Sequence, residues 1–352
     1  MNQVQLEQIY ENILSEIEKH NYHIAIEEAA GMIAIARLVD DIKYQLLGKY
    51  LMGVSYYHLY DYQKSMEKYM ELNNLFLEFS QENGEIDLKA GFFDQVRYGM
   101  ALNMYHQGDL EGGRIVLTHI LEHSEKVDII LNSMILLGVI YLMMYELNRN
   151  LKYLVPVLEM YLSLLEEVPL PESKKAMIYN NLAILFIYRG QYEKAQEMLN
   201  NSFVLEPGPA ELASLFNETA RINLERKNFK KGRKILEKAD EYLNKTVNLL
   251  EEGYHYFLWG ILYKEEEKYV KALQTFEKSL FLAKKCNNLM EQIRVYRELA
   301  DLYEKMTSDS DSEYLIEYKL LKEKVNPVKE VIKWQEVWNA IKDRVILAPT
   351  QK

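Results

Sequence analysis

Two histidines four residues apart, His119 and His123 in "HILEH", form the sharpest metal-binding pattern in the chain. Side chains at that spacing share a helix face and could hold one zinc ion, and the run fits the H-x-x-E-H pattern of one peptidase class. Ile120 and Leu121 should pack inward, which leaves the two imidazoles in solvent, and no third ligand stands out. In "TSDSDSE", carboxylates alternate at 309, 311 and 313. Calcium loops begin that way but also need a central glycine and a distal glutamate, and both are missing. The segment is expected to be a loop whose Ser or Asp caps the next helix. Cys286 sits in "KKCNN" with no histidine nearby, and no phosphate-binding glycine loop occurs. The chain is therefore expected not to be an enzyme and to hold no metal or cofactor.

The chemistry that remains is recognition. Asn180, Asn181 and Asn217 carry side-chain amides, each with donors and an acceptor that can match both polar groups of a ligand's peptide unit. Arg221 stands one helical turn beyond Asn217. Tyr254 and Phe257 could hold an apolar side chain. Arg294 and Arg297 could receive an acidic side chain or a terminal carboxylate through charge-assisted hydrogen bonds. These eight residues form one site only if they occupy equivalent places on successive helices.

The stretch "YNNLAILFIYRGQYEKAQEMLNNSFVLEP" supplies such helices. A first helix is expected from about Ala176 to Tyr188, ended by Arg189-Gly190, because glycine supplies a left-handed turn. A second should start near Tyr192 and stop at Glu206-Pro207, since proline cannot continue a helix. Leu182, Ala183 and Phe186 share a face of the first, and Ala195, Leu199 and Ser202 share one of the second. The pattern Leu182, Ala183, Phe186, Gly190, Tyr192, Ala195, Leu199, Ser202, Pro207 resembles the tetratricopeptide repeat. It recurs, with small residues of the first helix near 53, 101, 138, 183, 220, 260 and 300. These steps exceed the usual period of about 34 residues, so some helices or loops are longer than standard. The resemblance implies an all-α, right-handed α-solenoid of about eight helix pairs over residues 1–326. In such a superhelix, places two, five, six and nine of each first helix project to the concave side. Those places bring Asn180, Asn181, Asn217, Arg221, Tyr254, Phe257, Arg294 and Arg297 to one groove, running from amide-rich through aromatic to basic.

The long repeats and their number also resemble the cytoplasmic peptide-pheromone receptors of Gram-positive bacteria, of the Rap, NprR and PlcR types. That resemblance implies a cytoplasmic sensor that grips a short signalling peptide with groove asparagines and changes conformation or oligomeric state to regulate a protein or DNA partner. Departures stand out: the N-terminus reads as repeats rather than a three-helix bundle, and no helix-turn-helix precedes them. The alternative is a constitutive scaffold for another protein's segment.

Composition agrees with a solenoid. Hydrophobic residues make up 49% of the 352, enough for a continuous core, and the 27 tyrosines suit aromatic packing positions. A net charge of −11 argues against nucleic-acid binding, which needs clustered Lys and Arg. One cysteine excludes an intramolecular disulfide and fits a reducing compartment. No signal peptide is visible at the start. The apolar run "IILNSMILLGVIYLMMY", residues 129–145, is about long enough to span a bilayer but falls in repeat register, so a buried central helix is expected. In residues 327–352, Val331, Trp334, Trp338, Ile341 and Val345 recur at intervals of three and four. This stripe predicts a helix from about Val328 to Ile346 that caps the eighth pair, or else serves as a homodimer seam.

Overall fold

The computed structural model describes residues 3–83, 86–245, 248–308 and 312–346. Among them are 17 α-helices and no strands, in the order α1 (Gln3–Glu18), α2 (Tyr22–Leu38), α3 (Ile42–His58), α4 (Tyr62–Asn83), α5 (Phe92–Gln107), α6 (Leu110–His123), α7 (Val127–Asn148), α8 (Leu154–Glu167), α9 (Glu172–Tyr188), α10 (Tyr192–Phe203), α11 (Pro209–Glu225), α12 (Phe229–Leu243), α13 (Leu249–Glu265), α14 (Tyr269–Lys285), α15 (Leu289–Thr307), α16 (Glu313–Glu323) and α17 (Trp334–Ile346). Consecutive helices pack in antiparallel pairs, α1 with α2 through α15 with α16. The eight pairs are those the repeat pattern predicts. Helix α9 starts a turn earlier than expected, at Glu172 after Pro171, and α10 ends three residues before Glu206.

Pairs two, four and seven are tight because a glycine on the first helix meets an aromatic ring on the second. At Gly138 an added Cβ would lie 2.1 Å from Tyr161 Oη, and at Gly260 it would lie 2.5 Å from the Phe276 ring. Any side chain there would force the helices apart. Ser202 and Ser279 then donate hydroxyl bonds to carbonyls of the preceding helix, at Ala176 (3.3 Å) and Gly253 (2.8 Å). Gly190 adopts φ +69° in its turn. The corresponding turns at Tyr60, Lys227 and Glu267 take the same left-handed conformation without glycine.

Helix α7 is the one described helix long and apolar enough to cross a membrane, yet 72% of its apolar window is buried in the protein. It is a core helix: Met134, Leu137, Ile140 and Tyr141 are fully buried among α5, α6, α8 and α9. His119 and His123 stack on each other at the exposed face of α6, ring centroids 4.3 Å apart. No group of three metal-ligating side chains occurs among the described residues. In the acidic loop, residues 309–311 lie outside the described residues, while Ser312 caps α16 by accepting from the Leu315 amide.

The superhelix closes on itself. Helix α15 of the eighth pair reaches α5 of the third. Asn287 donates to the Tyr60 carbonyl at 2.8 Å, and Leu289 covers Gly108.

The C-terminal segment completes the closure and corrects one expectation. The helix does not begin near Val328. Residues 325–333 run across the molecule without forming a helix, pairing Asn326 with Gly108 and Glu111 through backbone hydrogen bonds of 2.9 and 3.1 Å. Ile332 N–H donates to Tyr141 Oη, and helix α17 begins only at Trp334. Its apolar stripe is buried, with Trp334 1% and Trp338 4% exposed, but against α6, α7 and α8 rather than the eighth pair. Trp334, Trp338, Ile341 and Val345 of the stripe are thus covered by the chain's own helices. Residues outside a helix can span from the end of the solenoid to its middle, which a helix of the same length is too short to do. Trp334 and Trp338 donate indole N–H bonds to Ser163 and Glu167, and Arg344 caps the last carbonyls of α6 at Leu121 and Ser124.

We expect Trp338→Ala to lower stability by roughly 3–5 kcal/mol, because it empties a filled site between α8 and α17. Urea denaturation followed by circular dichroism is the measurement; a variant within about 1 kcal/mol of wild type would mean that α17 is not an integral part of the core.

Candidate functional site

The first helices of pairs four to eight, α7, α9, α11, α13 and α15, turn their inner faces toward one another. Two adjoining cavities lie between them. The outer one has a volume of about 520 Å³ and is walled by Arg221, Tyr254, Phe257, Arg294 and Arg297, with Glu146, Tyr188, Lys264 and Glu298. The inner one, about 300 Å³, is walled by Asn180, Asn181, His106, Glu218, Glu251 and Glu291. Tyr188, Arg221, Tyr254 and Arg294 belong to both walls and form the partition.

Seven of the eight residues expected in the groove therefore converge here. The eighth, Asn217, is fully buried behind the inner wall. Its Nδ2 donates to Glu251 Oε1 at 2.6 Å, and its Oδ1 lies 2.7 Å from His255 Nδ1. Asn181 braces a neighbouring helix: its Nδ2 donates to Tyr161 Oη at 3.1 Å. Asn180 differs, since its buried Oδ1 has no hydrogen-bond partner among the described residues.

The basic end is already partnered. Arg294 makes a bidentate pair with Glu146 of α7, Nε to Oε1 at 2.7 Å and Nη2 to Oε2 at 2.5 Å, while Nη1 bonds Glu291. Both side chains of the Glu146–Arg294 pair are 11% exposed. Tyr188 donates its hydroxyl to the same carboxylate at 2.7 Å. Burial alone would raise the Glu146 pKa; the charge and hydrogen bonds of Arg294 outweigh it and hold the carboxyl far below its usual range. Arg221 lies over the Tyr188 ring, 4.9 Å from its centroid, with its guanidinium 3.5 Å from Glu218. Lys264 neutralises Glu298 and Asp301. Arg297 is the freest of these cations, at 34% side-chain exposure, with contacts of 3.4 Å to Glu298 and 4.0 Å to Glu146.

Glu251 and Glu291 arrive through the same local device. Asn248 and Asn288 are N-caps whose Oδ1 accepts the amide of the residue three on, at 3.1 Å in each case. The repeated N-x-x-E could have revealed both carboxylates in the sequence, since an N-cap followed by glutamate at N3 marks a helix start. Here the two carboxylates take different partners. Glu291 pairs with Arg294 of its own helix, and Glu251 accepts from Asn217 of α11. Burial pushes the Glu251 carboxyl up to about 7; hydrogen bonds from Asn217 and Ser214 oppose the rise, and the charges of Glu218 and Glu291 add to it. Glu146, Tyr188 and His106 give no sequence signal, because their roles depend on helices brought together from far along the chain.

No family model matches the chain, and no curated protein matches its sequence. Solved structures do match its fold. The apo form of the quorum sensor NprR from B. thuringiensis is 18% identical, with a TM-score of 0.61 over 91% of this chain and 87% of that one. The Rap conjugation gene regulator of the plasmid pLS20, in complex with the Phr* peptide, is 14% identical, with a TM-score of 0.63 over 96% of this chain and 98% of that one. A Rap protein complexed with Competence and Sporulation Factor is 11% identical, with a TM-score of 0.61 over 91% and 98%. The chain thus shares the helical-repeat architecture of these proteins along nearly its whole length.

Two outcomes follow from the charges. Glu146→Ala should cost roughly 3–5 kcal/mol in a urea titration, because a buried ion pair loses one partner; a loss below about 1 kcal/mol would mean the pair is not a closing contact. Between about pH 4.5 and 7, the folded chain keeps a proton on Glu251 that the unfolded chain releases, so its stability falls as pH rises through that window. Glu251→Gln stays neutral throughout. It should exceed wild type by roughly 2–3 kcal/mol at pH 8 and match it near pH 4.5. A pH-independent difference between the two proteins would contradict the assignment.

Proposed function

We propose that the chain is a cytoplasmic sensor that binds a short linear peptide in the two-chambered channel, and that occupancy changes the closure of the superhelix and so its hold on a protein or DNA partner. The observation that carries this reading is the convergence of seven predicted groove residues on one polar, aromatic-walled channel. Its chemistry suits a peptide. Asn180 presents an unpaired acceptor for a backbone N–H. Tyr254 and Phe257, near-parallel with centroids 6.2 Å apart, offer an apolar wall. Arg297 can take an acidic side chain or terminal carboxylate. The fold shared with a quorum sensor and with a regulator solved in complex with a peptide supports the same reading.

Coupling to a partner has a physical route. Helices α7 and α15 are joined through the channel wall by Glu146 and Arg294, so a ligand charge that enters there competes with the pair that holds the ring shut. A ligand can shift such an equilibrium only through its differential affinity for the two states.

A pool of synthetic heptapeptides of randomised sequence, passed over the purified protein and analysed by mass spectrometry, gives the test. Retained peptides, resynthesised singly, should raise the melting temperature by mass action. Asn180→Ala should weaken their binding by about 1–2 kcal/mol in calorimetry while leaving the melting temperature of the free protein unchanged. A pool from which nothing is retained would refute the peptide reading.

A further inference from the structure

We propose that the inner chamber receives a cationic nitrogen of the ligand, a primary ammonium or a guanidinium, against the carboxyl group of Glu251. The assignment rests on the peptide-channel reading and gives the bound chain a direction within it.

The argument begins with charge. Three carboxylates, Glu218, Glu251 and Glu291, and two guanidiniums, Arg221 and Arg294, line this chamber. Glu291 is paired with Arg294, and Glu218 faces Arg221. Glu251 has no ion-pair partner among the described residues; it accepts only neutral donors, from Asn217 and Ser214. Once Glu251 is ionised, the chamber therefore carries one carboxylate in excess, and a bound cation favours that ionised form. Its two guanidiniums do not supply the missing charge, because Arg294 is held by Glu146 as well as Glu291 and Arg221 lies over Tyr188.

Independent evidence comes from unpaired polar atoms. His106 is 6% exposed, its Nε2 lies 3.2 Å from Tyr57 Oη, and its Nδ1 has no partner. Burial pushes its pKa down to about 4, so the ring is neutral near pH 7 and adds no competing charge. When Nε2–H donates to Tyr57, Nδ1 is an acceptor. Asn180 Oδ1 is a second buried acceptor without a donor. Among the described residues, one chamber thus holds a carboxyl with no cation, an amide oxygen with no donor and, in the tautomer that donates to Tyr57, an imidazole nitrogen with no donor. Buried polar groups are paired in folded proteins, and each exception calls for an explanation. An ammonium carries three donors and one positive charge, and a guanidinium carries five donors. A carboxylate ligand would be repelled by an ionised Glu251, and a hydroxyl would leave that charge unneutralised. Arg297 lines only the 520 Å³ cavity, so that chamber is the cationic one, and the 300 Å³ chamber is anionic once Glu251 is ionised. A peptide with its amino-terminal part in the smaller chamber and its carboxylate in the larger fits that polarity.

The experiment uses the full chain and three heptapeptide pools: unmodified, N-acetylated, and N-acetylated with Lys and Arg omitted. Retained peptides are quantified by mass spectrometry. Wild type should favour the unmodified pool over the charge-free one by about tenfold or more, equivalent to at least one buried charge contact. Loss on acetylation alone identifies the α-ammonium as the source; loss only in the charge-free pool identifies a side chain. Glu251→Gln should abolish the preference while neutral peptides are retained as before. Asn180→Asp, which adds a carboxylate to a partly exposed position, should increase it, and this variant decides the matter if Glu251→Gln folds poorly. Equal retention of all three pools by wild type overturns the assignment and leaves the peptide channel standing. Retention of no pool overturns the channel reading and the assignment with it. An undiminished preference in folded Glu251→Gln also refutes the role of Glu251.

Discussion

The ion pair between Glu146 and Arg294 joins the fourth helix pair to the eighth, and the shape of the channel depends on it. Removing two charges from water costs several kcal/mol per ion, so a buried pair persists only with good geometry and further hydrogen bonds. This one has both: two parallel N–H···O bonds, a tyrosine hydroxyl on the carboxylate and a second carboxylate on the guanidinium. Its value lies in specificity of position. Hydrophobic contacts alone would tolerate sliding of α15 past α7, whereas a bidentate pair fixes both register and distance.

The repeats make that meeting possible. Gly138 and Gly260 let Tyr161 and Phe276 bring paired helices close, and accumulation of these pairs returns α15 to the third and fourth pairs. The C-terminal segment then ties the ring from outside. Its backbone pairs with the α5–α6 turn, and its two tryptophans pack against α8. A solenoid otherwise depends only on contacts between neighbouring repeats. Here the eighth pair and the C-terminal helix add contacts between distant ones, so the ends and the middle of the chain are coupled through two separate surfaces.

Such closure leaves the concave face both enclosed and electrically structured. Most of its charges neutralise one another, which is the condition for burying them. What remains unmatched is small and localised: Asn180 Oδ1, His106 Nδ1 and the Glu251 carboxyl on one side of the partition, and the looser Arg297 on the other. A ligand gains most where protein groups are left unsatisfied, because it pays least to displace existing partners.

By itself the sequence determined the repeat. Small residues, aromatics and turn positions recur at fixed offsets, and helix pairing is local, so eight pairs and the inner-facing places of α9, α11, α13 and α15 could be read directly. The same register placed Asn180, Arg221, Tyr254 and Arg297 on one surface. It also marked Val331, Trp334, Trp338, Ile341 and Val345 as an apolar stripe that needs a cover, either the eighth pair or a second copy of the chain. Only the tertiary structure decided what that stripe covers, since its helix meets α8 across 171 residues, in the bond of Trp334 to Ser163, and α6 across 223, in the bond of Arg344 to Leu121. It likewise decided that Arg294 spends its charge on Glu146, 148 residues earlier, and that Asn217 supports Glu251 from behind the wall. Periodicity specifies which face of a helix turns inward. The rise and rotation accumulated over eight unequal pairs decide which distant side chains that face meets, and those small geometric increments have no residue-level signature.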